Sequence, residues 1–356
     1  MLVGLSPFNF FPKNKTQWLA DRNGIRFEGH GQIYSTNTWK QESSASSQDS
    51  LTIEIWLEPV DNSKWGEILS MYDPERQGNL TIAQSLSDLL LRAHFRDHDR
   101  IILGKFYVDD VFREHKARFV TVTSDSKGTI VYLEAVRTKA YPDLTMTADN
   151  FSGRLILGHS PSDGLPWAGQ VLGLAIYNRG LTAEEVSRHY RAWREGRFSE
   201  LATEKHAVAV YPFDERTGNQ VHNQAAAGPH LQIPTTFYIV HRTFLVPPVI
   251  FRTSDLSDFA INIFGFVPFG LFVSAYLQSA VRLRRTRAAL LTIALGIFTS
   301  ITIETLQAYL PSRVSSLTDL INNSLGTALG AMLLDPAFKV AKASIDFVRH
   351  LSHPLP

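Results

Sequence analysis

Hydrophobic and polar residues alternate in short runs along the first 235 residues. Examples are Leu51–Leu57, Ala117–Thr123, Gly128–Glu134 and Gly153–Gly158. Turn-forming residues separate these runs, and a period of two between such turns predicts β-strands. One helix interrupts the series: Thr182 and Glu185 form a capping box, and the helix should extend to about Trp193. Many strands with one short helix predict an all-β sandwich or jelly roll.

Three long apolar runs change the character of the chain from residue 258 onward. They are Asp258–Val281, Thr286–Tyr309 and Ser315–Leu334. Each approaches or exceeds the roughly 20 residues that a membrane-spanning helix needs. The alternative is a soluble all-α core, whose surface helices would carry a broad polar face. Because each run contains only one or two charged residues, we predict an α-helical transmembrane bundle of three helices.

A basic loop sets the predicted orientation of these helices. The segment Arg282–Arg287 contains four arginines in six residues, and basic residues in short loops mark the cytoplasmic side. We therefore expect a multi-pass protein of the inner or plasma membrane, with residues 1–235 external or periplasmic. The opening segment Met1–Phe11 is apolar but too short to span, and it has neither a basic start nor a cleavage site. We interpret it as the outer end of a truncated first transmembrane helix.

Composition excludes several classes of function. The chain has 35 Lys and Arg against 34 Asp and Glu, a net charge of +1, whereas nucleic-acid binding requires a strong basic excess. We therefore expect no nucleic-acid partner. Hydrophobic residues make up 44% and charged residues 19% of the chain, which excludes a disordered protein. The absence of cysteine excludes disulfides, thiolate metal sites and a cysteine nucleophile.

Four segments of the β-rich region carry a family resemblance. They are Phe27–Gly31, Ser50–Pro59, Arg154–Gly158 and Trp167–Val186. In this order they resemble a laminin-G-like domain of the concanavalin A-like lectin and glucanase superfamily. The resemblance covers about residues 24–235 and implies a jelly roll that binds or cleaves glycans. Calcium sites occur in this fold, but no Asp or Asn cluster identifies one here, so we expect no cofactor.

The helical region carries a second resemblance. Its segments are Asp258–Asn262, Phe266–Gly270, Glu304–Gln307, Arg313, Asp319–Gly326 and Gly330. As a set they resemble the VanZ-like family, which is named for a protein linked to reduced susceptibility to teicoplanin-type antibiotics. The resemblance supplies no biochemical activity. The domains we predict are the lead-in 1–23, the lectin-like domain 24–235, a linker 236–257, the helices 258–335 and a cytoplasmic tail 336–356.

Polar residues in and beside the predicted helices form a candidate membrane site. They are Asp258, Asn262, Glu304, Gln307, Arg313, Asp319 and Asn323. Spacings of three or four place the residues of each helix on one face. At 1.5 Å per residue, Glu304 lies ~27 Å from the inner end of its helix, near the outer boundary. Ionisable groups inside a membrane indicate a functional site. The alternative is structural: Arg313 pairs with Glu304 or Asp319, and the aspartates cap helix N-termini.

An internal repeat accompanies this site. The pattern Asp258, Asn262, Gly265 recurs with the same spacing as Asp319, Asn323, Gly326. A parallel pseudo-repeat, as in some transporters, and coincidence both account for it.

Three groups of residues in the lectin-like region have side chains suited to binding or catalysis. Glu54 and Glu58 point to one face of a strand, ~13 Å apart, but related glucanases place an Asp between them where this chain has Trp56; we predict no catalytic residues. The candidate sugar-binding aromatics are Trp39, Trp65, Tyr72 and Trp167, with core packing as the alternative. His94 and His98, with Asp97 and Asp99, lack a third spaced ligand group, so we predict a solvated turn and no metal.

Together these features predict a cell-envelope membrane protein. Its external domain is expected to bind a cell-wall glycan, exopolysaccharide or glycolipid, with a role in glycopeptide tolerance or envelope maintenance. Membrane lipids are the second expected partner. The alternative is a membrane enzyme or transporter that acts on a lipid-linked precursor at the outer-leaflet polar site.

Overall fold

The computed structural model describes residues 9–39, 50–73, 80–97, 100–142, 144–146, 148–159, 161, 166–238, 240, 244–246, 255–310 and 315–333. The chain divides into two compact units. One is Phe11–His241, and the other combines Met1–Phe10 with Arg242–Pro356.

The first unit is rich in β-strands. In chain order, β1 to β17 are Thr16–Trp18, Ile25–Glu28, Ile33–Ser35, Leu51–Pro59, Trp65–Tyr72, Leu80–Ser85, Asp88–Asp97, Arg100–Val108, Arg118–Asp125, Gly128–Leu133, Val136–Tyr141, Thr145–Met146, Arg154–Leu157, Ala168–Tyr177, Ala207–Tyr211, Gln220–Val221 and Leu231–Gln232. Two helices separate β14 from β15: α1 is Ala183–Arg194 and α2 is Phe198–Ala202.

The strands form an all-β sandwich of two antiparallel sheets. The eight-stranded sheet has the order β1-β2-β14-β4-β9-β10-β11, with β15 also paired to β14. The nine-stranded sheet has the order β12-β7-β6-β5-β13-β3-β17-β16, with β8 also paired to β7. Alternate apolar side chains, such as Phe27, Ile53 and Leu155, are fully buried in one core cluster. The alternation in the sequence therefore predicted the sandwich correctly.

Helix α1 follows β14 and begins at the predicted capping box. The Thr182 hydroxyl accepts a hydrogen bond from the Glu185 backbone N–H at 3.3 Å, and the Glu185 carboxylate accepts one from the Thr182 N–H at 2.8 Å. The helix buries Val186, His189 and Trp193. Trp193 packs against Gly173 of β14, where a Cβ atom would overlap the indole ring. One part of the eight-stranded sheet is therefore covered on both faces.

The second unit contains α3 at Asp255–Ser279, α4 at Arg285–Ala308 and α5 at 317–333. The stretches Phe259–Ser279 and Arg285–Ala308 are long and apolar enough to cross a membrane. The described part of α5 is shorter than the third predicted span. A membrane bundle of three spanning helices therefore remains a prediction.

Glycines allow these helices to pack closely. A Cβ atom at Gly326 would overlap the carbonyl oxygen of Ile263, and one at Gly330 would overlap that of Val267, so α3 and α5 meet backbone to backbone. Gly296 of α4 similarly leaves room for the Thr327 side chain of α5. Small residues at helix crossings are typical of membrane helices.

Candidate functional site

A cavity of about 570 Å³ lies within the sandwich. Its aromatic walls come from Trp39, Phe151 and Tyr177, and its polar groups come from Asn37, Thr38 and Asn178. Trp39, Phe151 and Tyr177 are buried, whereas Asn37 and Thr38 are exposed. The cavity therefore has a largely apolar interior and a polar rim, as small-molecule sites commonly do.

Backbone pairing fixes the Trp39 wall of this cavity. The Trp39 N–H donates to the Gly153 carbonyl at 2.6 Å, and the Gly153 N–H donates to the Trp39 carbonyl at 3.0 Å. Gly153 has φ +102°, and a Cβ there would overlap the Tyr72 carbonyl. Only glycine fits such a position without strain. The pairing places the Trp39 ring 6.5 Å from the Phe151 ring.

One buried amide, Asn223, holds the part of the cavity wall that includes Gly228. The Asn223 Oδ1 accepts from the N–H groups of Val210 and Ala225 at 2.9 and 3.0 Å. Its Nδ2 donates to the carbonyls of Val208 and Gly228 at 3.0 and 2.9 Å. All four hydrogen-bonding positions of the amide are used. The loop between β16 and β17, which contains Asn223 and Gly228, is thereby fixed to β15. This part of the cavity wall is therefore pre-organised.

The four candidate sugar-binding aromatic residues differ in exposure and in whether they line the cavity. Trp39 lines the cavity, and Trp65 is 47% exposed at the start of β5. Trp167 is only 1% exposed, and its indole N–H donates to Gln84 at 2.9 Å. Tyr72 is only 4% exposed. Both rings are covered and neither lines the cavity, so Tyr72 and Trp167 are corrected to packing residues, which was the alternative for these positions.

The carboxylate pair of β4 is held in two separate networks. Glu54 has no exposed surface, and its carboxylate binds His189 and Trp193 at 2.9 Å each. Glu58 pairs with Arg22 at 2.6 Å. No glycan can reach Glu54 beneath α1, so these two side chains cannot act as a glycosidase pair here.

The predicted charged turn contains His94, Asp97, His98 and Asp99. His94 and Asp97 lie in β7, whereas His98 and Asp99 fall outside the described residues. Within the described ranges, no group of three or more His, Asp or Glu side chains is arranged to hold a metal ion.

The structure brings several of the predicted membrane-site residues into contact. Asn262 of α3 donates to Asp319 of α5 at 2.8 Å. Asn323 of α5 donates to the Ser300 hydroxyl of α4 at 3.0 Å. These hydrogen bonds therefore connect α5 to both α3 and α4.

A buried carboxylate lies where α4 meets the start of α5. Glu304 is 1% exposed and accepts a hydrogen bond from the Ser316 backbone N–H at 2.7 Å. Gln307, one turn later on α4, is 7% exposed. Arg313 lies outside the described residues, as does the side chain of Asp258. Their place in a common polar site stays a prediction.

Neither aspartate is a helix N-cap, so that part of the structural alternative is wrong. α3 begins at Asp255, which places Asp258 in its first turn. Ser316 precedes α5, and its hydroxyl accepts from the Asp319 N–H at 3.4 Å. The cap of α5 is therefore Ser316, because its short hydroxyl reaches a free N–H of the first turn.

The internal repeat is not reproduced in the packing. Gly326 touches the backbone of α3, whereas a Cβ at Gly265 would meet open space. The two glycines therefore have different surroundings, which favours coincidence.

Comparison with known families agrees with both resemblances. Residues 30–187 match the model of the Concanavalin A-like lectin/glucanases superfamily, and residues 206–338 match the VanZ/LLP1 model. The second match begins before β15, whereas the compact units divide after residue 241. No curated protein matches the chain.

Solved structures similar to this chain include a neurotoxin binding domain and a pentraxin. The Botulinum neurotoxin serotype D binding domain is 10% identical with a TM-score of 0.37, and the match covers 53% of this chain and 50% of that one. A heptameric SAP-like pentraxin from Limulus polyphemus is 13% identical with a TM-score of 0.32, covering 50% and 78%. The chain thus spans about half the length of the neurotoxin domain. Similarity at this level supports no functional argument.

Proposed function

We propose that this chain, in which a concanavalin A-like sandwich precedes a VanZ-like helical segment, is a membrane-anchored glycan receptor of the cell envelope. The sandwich binds a cell-wall glycan, exopolysaccharide or glycolipid outside the cytoplasm. The observation that carries the proposal is the cavity of about 570 Å³ beside Trp39.

The chemistry of the cavity suits a sugar ring. A pyranose has apolar C–H faces and a polar rim of hydroxyls. The Trp39 ring, with Phe151 beside it, offers apolar contact, while the Asn37 and Thr38 side chains supply hydrogen bonds at the rim. The volume lies within the range of ~300–1,000 Å³ typical of small-molecule sites.

The helical unit supplies the anchor. The stretches Phe259–Ser279 and Arg285–Ala308 have the length and hydropathy of membrane spans. The arginines between them favour the cytoplasmic side for this connection. The sandwich then faces the cell exterior or periplasm, where envelope glycans lie.

A glycan-array screen of the full chain in detergent micelles tests the proposal. The glycan that binds is then titrated against Trp39→Ala, which we expect to weaken binding about 10-fold because stacking is lost. Truncating a buried indole also costs about 3 kcal/mol of stability. A rim variant that carries Asn37→Ala and Thr38→Ala avoids this problem because both side chains are exposed.

Trp65→Ala is the matched control, since Trp65 is exposed and does not line the cavity. Unchanged affinity in both the Trp39 and the rim variants would contradict the cavity as the binding site. A loss confined to Trp65→Ala would move the site to the start of β5.

A second candidate function rests on the helical unit. Glu304 is buried among apolar helices at 1% exposure, and an ionisable residue in such a place indicates function. In this alternative the protein acts on a lipid-linked precursor as a membrane enzyme or transporter, with Asn262 and Asp319 as neighbouring polar groups.

A further inference from the structure

Two tyrosines and an arginine form a cluster on the nine-stranded sheet. The Arg154 guanidinium of β13 lies 5.3 Å from the centre of the Tyr34 ring of β3. The Tyr238 ring lies 5.7 Å from the Tyr34 ring, with an interplanar angle of 65°. All three side chains are half-buried. We call these three residues the tyrosine–arginine cluster.

Strand register places Tyr34 and Arg154 on the face opposite the core. Ile33, Leu155 and Leu157 point into the core cluster. Because side chains alternate along a strand, Tyr34 and Arg154 point the other way. The antiparallel pairing of Tyr34 with Ile156 brings β3 and β13 together at this position. The cluster is therefore separate from the core that the two sheets enclose.

Among the described residues Arg154 takes part in no ion pair, whereas Arg22, Arg92 and Arg118 of the same unit each pair with a glutamate. Its guanidinium lies over the Tyr34 ring and donates to the Tyr238 hydroxyl. These contacts fix the planar group and use only part of its five-donor fork.

Tyr238 adds a neutral hydroxyl to the cluster. Burial, followed by the neighbouring Tyr34 hydroxyl, raises the pKa of Tyr238 to about 12. The phenol therefore stays protonated near neutral pH. Its hydroxyl interacts with Tyr34 and accepts from the Arg154 guanidinium, so it helps to orient that group.

We propose that the tyrosine–arginine cluster is an anion-selective sugar subsite, which takes a pyranose carrying a carboxylate or a phosphate. The guanidinium fork pairs with two oxygens of the anion, and the tyrosines contact the ring and its hydroxyls. This inference rests on the proposed glycan-binding function and adds the class of glycan.

The test measures binding of three polymers to the full chain in detergent micelles. The probes are polygalacturonate, poly(ribitol phosphate) and the neutral glucan dextran. We expect at least one acidic polymer to bind about 10-fold more tightly than dextran, with affinity falling as salt rises. Arg154→Gln should remove that 10-fold preference, because it deletes the charge and keeps much of the side-chain length.

Arg26→Gln is the matched control, since Arg26 is an exposed arginine on the other sheet, in β2. It should leave the preference unchanged. Tyr238→Phe is a second variant that removes only a hydroxyl, and it should weaken acidic-polymer binding several-fold without affecting the fold. If Arg154→Gln weakens binding of polygalacturonate, the ligand carries a carboxylate. If it weakens binding of poly(ribitol phosphate), the ligand carries a phosphate.

Two results would overturn the inference while leaving the proposed function intact. In the first, dextran binds as tightly as the acidic polymers, and this binding is lost in Trp39→Ala. In the second, Arg154→Gln still binds an acidic polymer about 10-fold more tightly than dextran. If the chain binds none of these polymers and no glycan on the array, the proposed function fails together with the inference.

Discussion

The Nδ1 atom of His189 lies 2.9 Å from Oε1 of Glu54, and both residues have no exposed surface. The second oxygen of Glu54 accepts from the Trp193 indole at 2.9 Å, and His189 Nε2 lies 3.2 Å from Glu204. Helix α1 is thus fastened to β4 by a buried polar network as well as by apolar packing. The network explains why a strand glutamate of this sandwich is unavailable for catalysis.

We expect this network to make the stability of the sandwich depend on pH. Burial by itself lowers the pKa of His189, but the hydrogen bond and charge of Glu54, then those of Glu204, outweigh it and raise the pKa above the ordinary 6.5. A raised folded-state pKa gives stability that is complete below about pH 6.5 and is lost as pH rises through the folded pKa. Urea unfolding, followed by tryptophan fluorescence at pH values from 5.5 to 9, measures the free energy of unfolding at each pH.

His189→Gln should flatten this pH dependence and lower stability at pH 6 by about 2 kcal/mol, because Glu54 loses its charged partner. His115→Gln, at an exposed position, is the control and should leave the curve unchanged. A wild-type protein that gains stability between pH 6.5 and 8 would contradict the assignment.

The glycine contacts of α5 predict a sharp difference between two similar substitutions. Gly330→Ala should destabilise the helical unit by about 1–3 kcal/mol, because the added methyl overlaps the Val267 carbonyl of α3. Gly265→Ala should be neutral or slightly stabilising, since its Cβ would meet nothing within 4 Å and alanine favours a helix over glycine. Thermal denaturation in detergent compares the two variants, and equal effects would show that the α3–α5 contact is not close.

Glu304 allows the functional and structural interpretations of the membrane site to be separated. Glu304→Gln keeps an oxygen for the Ser316 N–H but removes the charge, so a working site should lose activity in a complementation assay at normal protein level. Glu304→Leu should also lower abundance, because an unsatisfied buried N–H costs about 1–3 kcal/mol. Full activity of Glu304→Gln would remove the active-site interpretation and leave a scaffold.

The arginine loop predicts membrane topology. A reporter fused after Arg284 should be active on the cytoplasmic side, and one fused after Ser312 on the external side, because the loop Arg282–Arg287 favours the cytoplasm. Alkaline phosphatase and green fluorescent protein fusions report the two sides. The reverse pattern would contradict the predicted orientation and place the sandwich in the cytoplasm.

The sequence by itself determined the type and order of the elements. Period-two alternation identified strands such as β4 and β9, and Thr182 with Glu185 marked the start of α1. These signals were sufficient because they are local: hydrogen bonding and side-chain direction within a strand or helix turn depend on residues a few positions apart. The two family resemblances followed from the same short segments, and both matched family models.

Only the tertiary structure decided which side chains meet and which are exposed. Trp167 and Trp65 are the same residue type, yet one is buried and the other exposed. Glu54 meets His189 across 135 positions, and the Tyr34–Arg154 contact joins two strands far apart in the chain. No spacing rule connects such positions, because their distance depends on how sheets and helices pack, and burial by α1 overrides the alternation that would have left Glu54 in solvent.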